Sequence, residues 1–139
     1  MKPTWKTALV DDEVRSLETL QWLLEEYCPQ IEVTGAYSSP FEALQALRRT
    51  PPDLLILDIA MPGLNGFDLL HHLMPAPYPV VFITAHTGDV IRILKEARVP
   101  YLLKPIDDEE LCQLLPRVLE GRKLITEEQM ERVRGRLGE

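Results

Sequence analysis

Two apolar runs in this chain stop on acids. Thr7-Ala8-Leu9-Val10 meets Asp11, Asp12 and Glu13, and Leu54-Leu55-Ile56-Leu57 ends on Asp58. Two further runs end on a hydroxyl and an amine: Val80-Val81-Phe82-Ile83 on Thr84, and Tyr101-Leu102-Leu103 on Lys104, with Pro105 next. If these side chains meet, the chemistry open to them is narrow. Carboxylates held close together repel one another and coexist only with a cation or a proton. Hard oxygen ligands without His or Cys suit Mg²⁺. Lys104 adds a point charge fitted to a phosphoryl oxygen, and Thr84 adds a hydroxyl donor. Such a set describes phosphoryl transfer, with Asp58 as nucleophile and with the metal and Lys104 neutralising developing charge. Each residue also has a plainer reading. Asp12 could cap a helix, Asp58 could belong to a turn before Pro62-Gly63, Thr84 could be a strand-end hydroxyl, and Lys104 could be a surface charge. Their joint placement at the ends of four strands favours the chemical reading.

The elements that must position them alternate along the chain. Strand-like runs cover Thr7 to Val10, Ile31 to Tyr37, Leu54 to Leu57, Val80 to Ile83 and Tyr101 to Leu103. The third is continuously apolar, as buried parallel strands are. Helical periodicity follows each run. Val14, Leu17, Leu20, Leu24 and Tyr27 share one face, and Pro29 ends that helix. Ser39-Pro40 reads as N-cap and first helical residue, with Phe41, Leu44 and Leu47 turned inward. Met61-Pro62-Gly63-Leu64-Asn65-Gly66 reads as a turn before a short helix to about Leu73, and another helix runs from about Asp89 to Ala97. Asp107 and Asp108 start the last core helix, where carboxylates favour the positive end of the dipole. Its buried stripe is Leu111, Leu114, Leu115, Val118 and Leu119. Pro116 predicts a kink there, and Gly121 a stop. The βα series predicts an α/β fold, a doubly wound five-stranded parallel sheet in the order 2-1-3-4-5. In such sheets ligands bind beyond the carboxyl ends of the strands, where the acids, Thr84 and Lys104 fall.

Composition narrows the function. The chain has 139 residues and a formal net charge of -7, which fits one ordinary domain with an acidic surface. Nucleic-acid backbones and anionic membranes call for clustered Lys and Arg, so direct binding to either is not expected. Cys28 and Cys112 form no CxxC pair and are expected as free thiols. The start of the chain lacks the apolar core of a signal peptide, and no apolar run reaches membrane-spanning length. A cytoplasmic location is the expectation. Residues 1–121 read as one domain, and 122–139 as a charged C-terminal linker or solvent-exposed helical extension. The chain reads either as stand-alone or as part of a longer protein.

These residues resemble the receiver family of bacterial two-component response regulators. The matching pieces are Leu9-Val10-Asp11-Asp12-Glu13, Asp58 through Gly66, Ile83-Thr84-Ala85 and Tyr101-Leu102-Leu103-Lys104-Pro105, in order and over roughly residues 6 to 120. The resemblance implies a flavodoxin-like receiver fold and a signalling phospho-acceptor, not a turnover enzyme. Asp58 would take a phosphoryl group from a sensor histidine kinase. Asp12 would bind Mg²⁺ directly and Asp11 through water, with Asp58 and the backbone carbonyl of Ala60 completing the protein ligands. Glu13 would begin the helix. Thr84 and Lys104 would contact the phosphoryl group, Tyr101 would be the aromatic switch residue, and the Lys104–Pro105 peptide would be cis, aiming the ammonium into the cleft. The face of the fourth helix, fifth strand and fifth helix, with Arg92, Lys95, Glu109 and Arg117, would recruit a partner or form a homodimer. Tyr101 to Ile106 is similar to receivers that precede LytTR-type DNA-binding domains. Arg98 departs from the pattern, being large where a small residue usually packs.

Other constellations give less. Adjacent His71 and His72 point to different helix faces and cannot chelate as a pair. They read as solvated, and His86 as a loop residue beside the cleft. Two other functions use similar parts. A haloacid-dehalogenase-type Mg²⁺ phosphohydrolase needs Asp-x-Asp after the first strand, and that motif is absent. A pseudo-receiver, binding partners without phosphorylation, usually lacks an acid or the lysine, and this chain keeps them all.

Overall fold

The computed structural model describes residues 4–86 and 88–137. Its strands are β1 (Trp5–Val10), β2 (Ile31–Tyr37), β3 (Leu54–Asp58), β4 (Val80–Thr84) and β5 (Tyr101–Leu103). The helices are α1 (Val14–Tyr27), α2 (Pro40–Arg49), α3 (Gly66–Leu73), α4 (Asp89–Glu96), α5 (Asp108–Gly121) and α6 (Glu127–Leu137). The strands form one parallel sheet in the order β2-β1-β3-β4-β5, as the βα alternation predicts. β3 and β4 are buried at every residue, which is why their sequences are unbroken apolar runs up to the final Asp or Thr. One side of the sheet is covered by α1 and α5, through Leu17, Leu20, Leu24, Leu111, Leu115 and Val118. The other side is filled by Ala43, Leu47, Phe67, Leu70, Ile93 and Leu94 from α2, α3 and α4.

Several local expectations change at the surface. Val14, Tyr27 and Phe41, assigned to inward faces by periodicity, are 56%, 45% and 59% exposed. Each lies at the edge of its helical stripe, and α2 buries Ala43 beside Leu47 instead. β1 begins at Trp5, earlier than the apolar run, because Trp5 pairs with Ile31 of β2. α5 carries Pro116 inside it and extends to Gly121. Its left-handed terminal residue is Arg122 (φ 42°), one position beyond the expected Gly121. Arg98 also takes the left-handed conformation (φ 59°) after α4. Its side chain lies exposed, so its size meets no packing limit.

The C-terminal segment departs most from expectation. The stretch read as a linker or solvent-exposed helix contains α6, and α6 is docked on α3 and α4. Ile125, Met130 and Val133 are 5%, 2% and 0% exposed and join the core on that side of the sheet. The start of α6 is fixed by a reciprocal cap. The Gln129 amide donates to Thr126 Oγ1 at 3.1 Å, and the Thr126 amide donates to Gln129 Oε1 at 2.8 Å. Ile125 and Met130 occupy the two positions of a hydrophobic staple around that cap. Gln129 Nε2 then reaches across to the Ala97 and Arg98 carbonyls, at 2.9 and 3.3 Å. Carbonyls left over at the end of α4 thus find a donor on α6.

Docking through so few buried residues makes each one count. Val133→Ala is expected to lower unfolding stability by about 1–2 kcal/mol, as loss of buried methyl groups does, while Glu131→Ala on the exposed face changes it by less than about 0.5 kcal/mol. Chemical denaturation of the three proteins checks this, and equal effects from both substitutions would refute the docked arrangement.

Candidate functional site

The switch point of the sheet lies between β1 and β3, which are neighbours although α1, β2 and α2 separate them in the chain. Val10 pairs with Leu57, so Asp11 and Asp58 emerge side by side at the carboxyl edge. β4 and β5 continue the row: Asp58 pairs with Ile83, and Thr84 with Leu103, immediately before Lys104. Thr7, Asp11, Asp58 and Thr84 are the buried polar or charged residues of the described chain, and all but Thr7 lie at this edge.

Lys104 is the hub. Its Nζ donates to Asp11 Oδ2 at 2.7 Å and lies 3.6 Å from Asp58 Oδ2. It also reaches Ser16 Oγ at 3.4 Å. Sequence reasoning passed over Ser16. The only signal for it is its place in the first turn of the helix that follows the acids. The Lys104–Pro105 peptide is cis, and so is Met74–Pro75. Burial works against the Lys104 charge, but the Asp11 hydrogen bond and the Asp58 and Asp11 charges outweigh it and hold the ammonium above its ordinary pKa.

The acids differ in setting. Asp11 is fully buried, its Oδ1 accepting the Glu13 amide at 2.9 Å, and Glu13 forms the N-cap of α1. Asp12 is half-buried and Glu13 exposed. Asp11, Asp12 and Asp58 each bring a carboxylate oxygen within 4.8 Å of the others, which is the donor set a hard divalent cation takes. Burial and the neighbouring Asp11 together push the Asp58 carboxyl up to about 7, against the downward pull of Lys104 and the Ala60 amide.

Thr84 is fully buried, and its Oγ1 accepts the His86 amide at 3.0 Å. That leaves the hydroxyl proton to be donated elsewhere. Tyr101 is half-buried and packs against the core beneath α4. Ala60 is exposed, and so are His71, His72 and His86. Gly66, read as a turn residue, opens α3 instead. Its amide donates to the Ile59 carbonyl at 2.9 Å, and a Cβ there would strike the Asp58 carbonyl oxygen and sit 3.0 Å from Ile59 Cα. Only glycine lets α3 start this close beneath Asp58.

A family model described as the response regulator receiver domain matches residues 7–116. The chain belongs to that family. An uncharacterized response regulatory protein of Vibrio cholerae is 40% identical over 116 residues, 83% of this chain and 48% of that protein. The transcriptional regulatory protein BtsR of Escherichia coli is 37% identical over 118 residues, 84% of this chain and 49% of BtsR. The chain spans about half the length of the curated relatives it matches. Among solved structures, a LuxR-family two-component response regulator from Aurantimonas superposes with a TM-score of 0.74 at 26% identity, covering 98% of this chain and 99% of that one. The response regulatory domain of mrkE from Klebsiella pneumoniae gives 0.70 at 26% identity, covering 84% of this chain and 96% of that one. This is therefore a receiver domain of the two-component signalling kind, with the flavodoxin-like order of strands. No helix of the described residues is long and apolar enough to cross a membrane.

The raised Asp58 pKa in this receiver has a measurable consequence. In the unfolded chain the carboxyl ionises near pH 4, whereas in the fold it holds its proton to about 7. The folded state binds that proton more tightly, so stability falls as pH rises from about 4 to about 7, and the loss is complete above that window. In metal-free buffer Asp58→Asn is expected to stabilise the protein at pH 8 by about 1–3 kcal/mol and to do much less at pH 4. Urea unfolding in EDTA at both values checks it, and an equal gain at the two pH values would refute this electrostatic account.

Proposed function

We propose that Asp58 is the phospho-acceptor of this receiver and that the phosphoryl group comes from a sensor histidine kinase. The observation that carries the reading is Lys104 Nζ, placed 3.6 Å from Asp58 Oδ2 and anchored on Asp11. An Asp58 oxygen attacks phosphorus, the bond from phosphorus to the donor breaks, and an acyl phosphate forms. Lys104 balances charge on the transferred group, and Thr84 donates its hydroxyl proton to a phosphoryl oxygen. Asp11, Asp12, Asp58 and the Ala60 carbonyl would hold Mg²⁺, which supplies further charge neutralisation when bound. Asp12 is the acid most open to an incoming ion, whereas Asp11 is already committed to Lys104.

Membership of the receiver family displaces the phosphohydrolase alternative. The complete set of three acids, Thr84 and Lys104 supports phosphorylation over a binding module that has lost it. Acetyl phosphate with Mg²⁺ is expected to add one phosphoryl group by intact mass, with none added in EDTA and none in Asp58→Asn. Asp12→Ala is expected to weaken Mg²⁺ binding at least about tenfold by isothermal titration calorimetry. Undiminished labelling of Asp58→Asn would overturn the acceptor assignment.

The output follows from a local rearrangement. A phosphoryl group draws the Thr84 hydroxyl toward it, because that donor gains a charged acceptor. The Tyr101 ring turns inward behind it, and the surface of α4, β5 and α5 changes by a shift between two states. Arg92, Lys95, Glu109 and Arg117 then face a partner or a second copy. A following output segment is in keeping with the greater length of the relatives, and a LytTR-type DNA-binding domain is the form we favour from Tyr101 to Ile106. The location we infer is cytoplasmic. Saturating beryllofluoride is expected to move the NMR signals of Thr84, Tyr101 and α4, and binding at Asp58 with all three unchanged would exclude this coupling.

A further inference from the structure

Cys28 and Cys112 stand apart from the phospho-acceptor cleft. Cys28 closes the C-terminal end of α1, and Cys112 lies on α5. Separated by 84 positions in the chain, their Sγ atoms lie 3.6 Å apart. Cys112 Sγ also lies 3.4 Å from the Tyr27 carbonyl oxygen. Both are free thiols, Cys28 buried and Cys112 partly exposed. Both line a cavity of about 200 Å³, together with Pro29, Ile31, Leu115 and Pro116. A cavity of that size admits a small peroxide.

We propose that Cys28 and Cys112 form a reversible disulfide on oxidation by hydrogen peroxide, making the α1–α5 seam a redox modification site. A disulfide needs sulfurs about 2 Å apart, so closing the gap takes about 1.5 Å of movement, within reach of side-chain rotation. The exposures of the two thiols set the order of events. Burial, together with the neighbouring sulfur, pushes the Cys28 thiol up to about 12, and the partly exposed Cys112 is the thiol that meets peroxide first. The Cys112 thiolate attacks one peroxide oxygen, the O–O bond breaks, and the departing hydroxide takes a proton to become water. Cys112 is thereby oxidised to a sulfenic acid, and one peroxide is reduced. Cys28 then attacks the Cys112 sulfur as its own proton leaves; the S–O bond breaks, and the hydroxide leaves with that proton as a second water. Two thiols and one peroxide give one disulfide and two waters. In a reducing compartment such a bond is transient and acts as a sensor.

The test uses the full chain as purified. After hydrogen peroxide and alkylation under denaturing conditions, the protein is expected to remain monomeric on a non-reducing gel and to be lighter by two hydrogens. Peptide mapping should find Cys28 joined to Cys112, and dithiothreitol should restore both thiols. In Cys28→Ala, Cys112 should stop at a sulfenic acid that dimedone captures. In Cys112→Ala, Cys28 should stay unmodified at the same peroxide dose. Two alkylatable thiols in oxidised wild type, a cross-linked dimer, or Cys112 carried on to sulfinic acid would each overturn the proposal. The wild-type mapping decides the matter even if either variant fails to fold.

Discussion

The structure depends on how one partly buried ammonium is held among acids. Lys104 is largely withdrawn from solvent and contacts Asp11 and Asp58, both almost completely buried. An unpaired buried carboxylate would be costly, and two of them side by side would be worse. The cation makes the cluster tolerable without silencing it. Burial and the Asp11 charge still push Asp58 toward neutrality, because Lys104 gives its short contact to Asp11 and only a longer one to Asp58. A site poised in this way gains from an added cation and from any group that spreads Asp58's charge.

That arrangement sets demands on the backbone. The two acids must come from adjacent strands, and the parallel order supplies them, because β1 and β3 meet in the sheet. Lys104 must arrive from the far edge, and the short β5 delivers it directly beside Thr84. The Lys104 amide donates to the Thr84 carbonyl at 2.8 Å, so the last ladder bond also fixes the stem of the side chain. Beneath the cleft, α3 starts so close to Asp58 that its first residue has no Cβ. Among the described residues no buried side-chain nitrogen or oxygen lacks a hydrogen-bond partner, so the polar cleft leaves no unmatched group behind.

α6 ties the opposite layer together. The Gln129 side chain joins its own helix cap to the end of α4, and Arg134 lies 3.4 Å from Asp68 on α3. The ion pair is half-exposed and contributes little; burial of Met130 and Val133 supplies most of the attachment. α4 is therefore held at its C-terminal end by a segment outside the βα core. Any displacement of α4 has to be accommodated by α6.

The order of strands, and the acids, hydroxyl and amine that meet at its carboxyl edge, were legible in the residues. A buried parallel strand must be apolar until it ends, so an Asp, a Thr or a Lys at that point announces the carboxyl edge of the sheet. The cap at Ser39 was equally plain, because capping is a local matter of one side chain and one nearby amide, and Asp107, read only as a helix start, caps α5 in the same way. What tertiary structure alone decided was distance. Charge-rich α6 has few apolar residues, so composition describes an exposed segment; only the groove between α3 and α4 gives Ile125, Met130 and Val133 something to bury against. Gly66 reads as a turn until the Asp58 carbonyl is found where its Cβ would be. Ser16 joins the cleft, and Cys28 meets Cys112, only because α1 and α5 lie on the same side of the sheet. Periodicity records which side of an element is apolar, whereas contacts between remote segments depend on the packing of whole elements, which no local run of residues encodes.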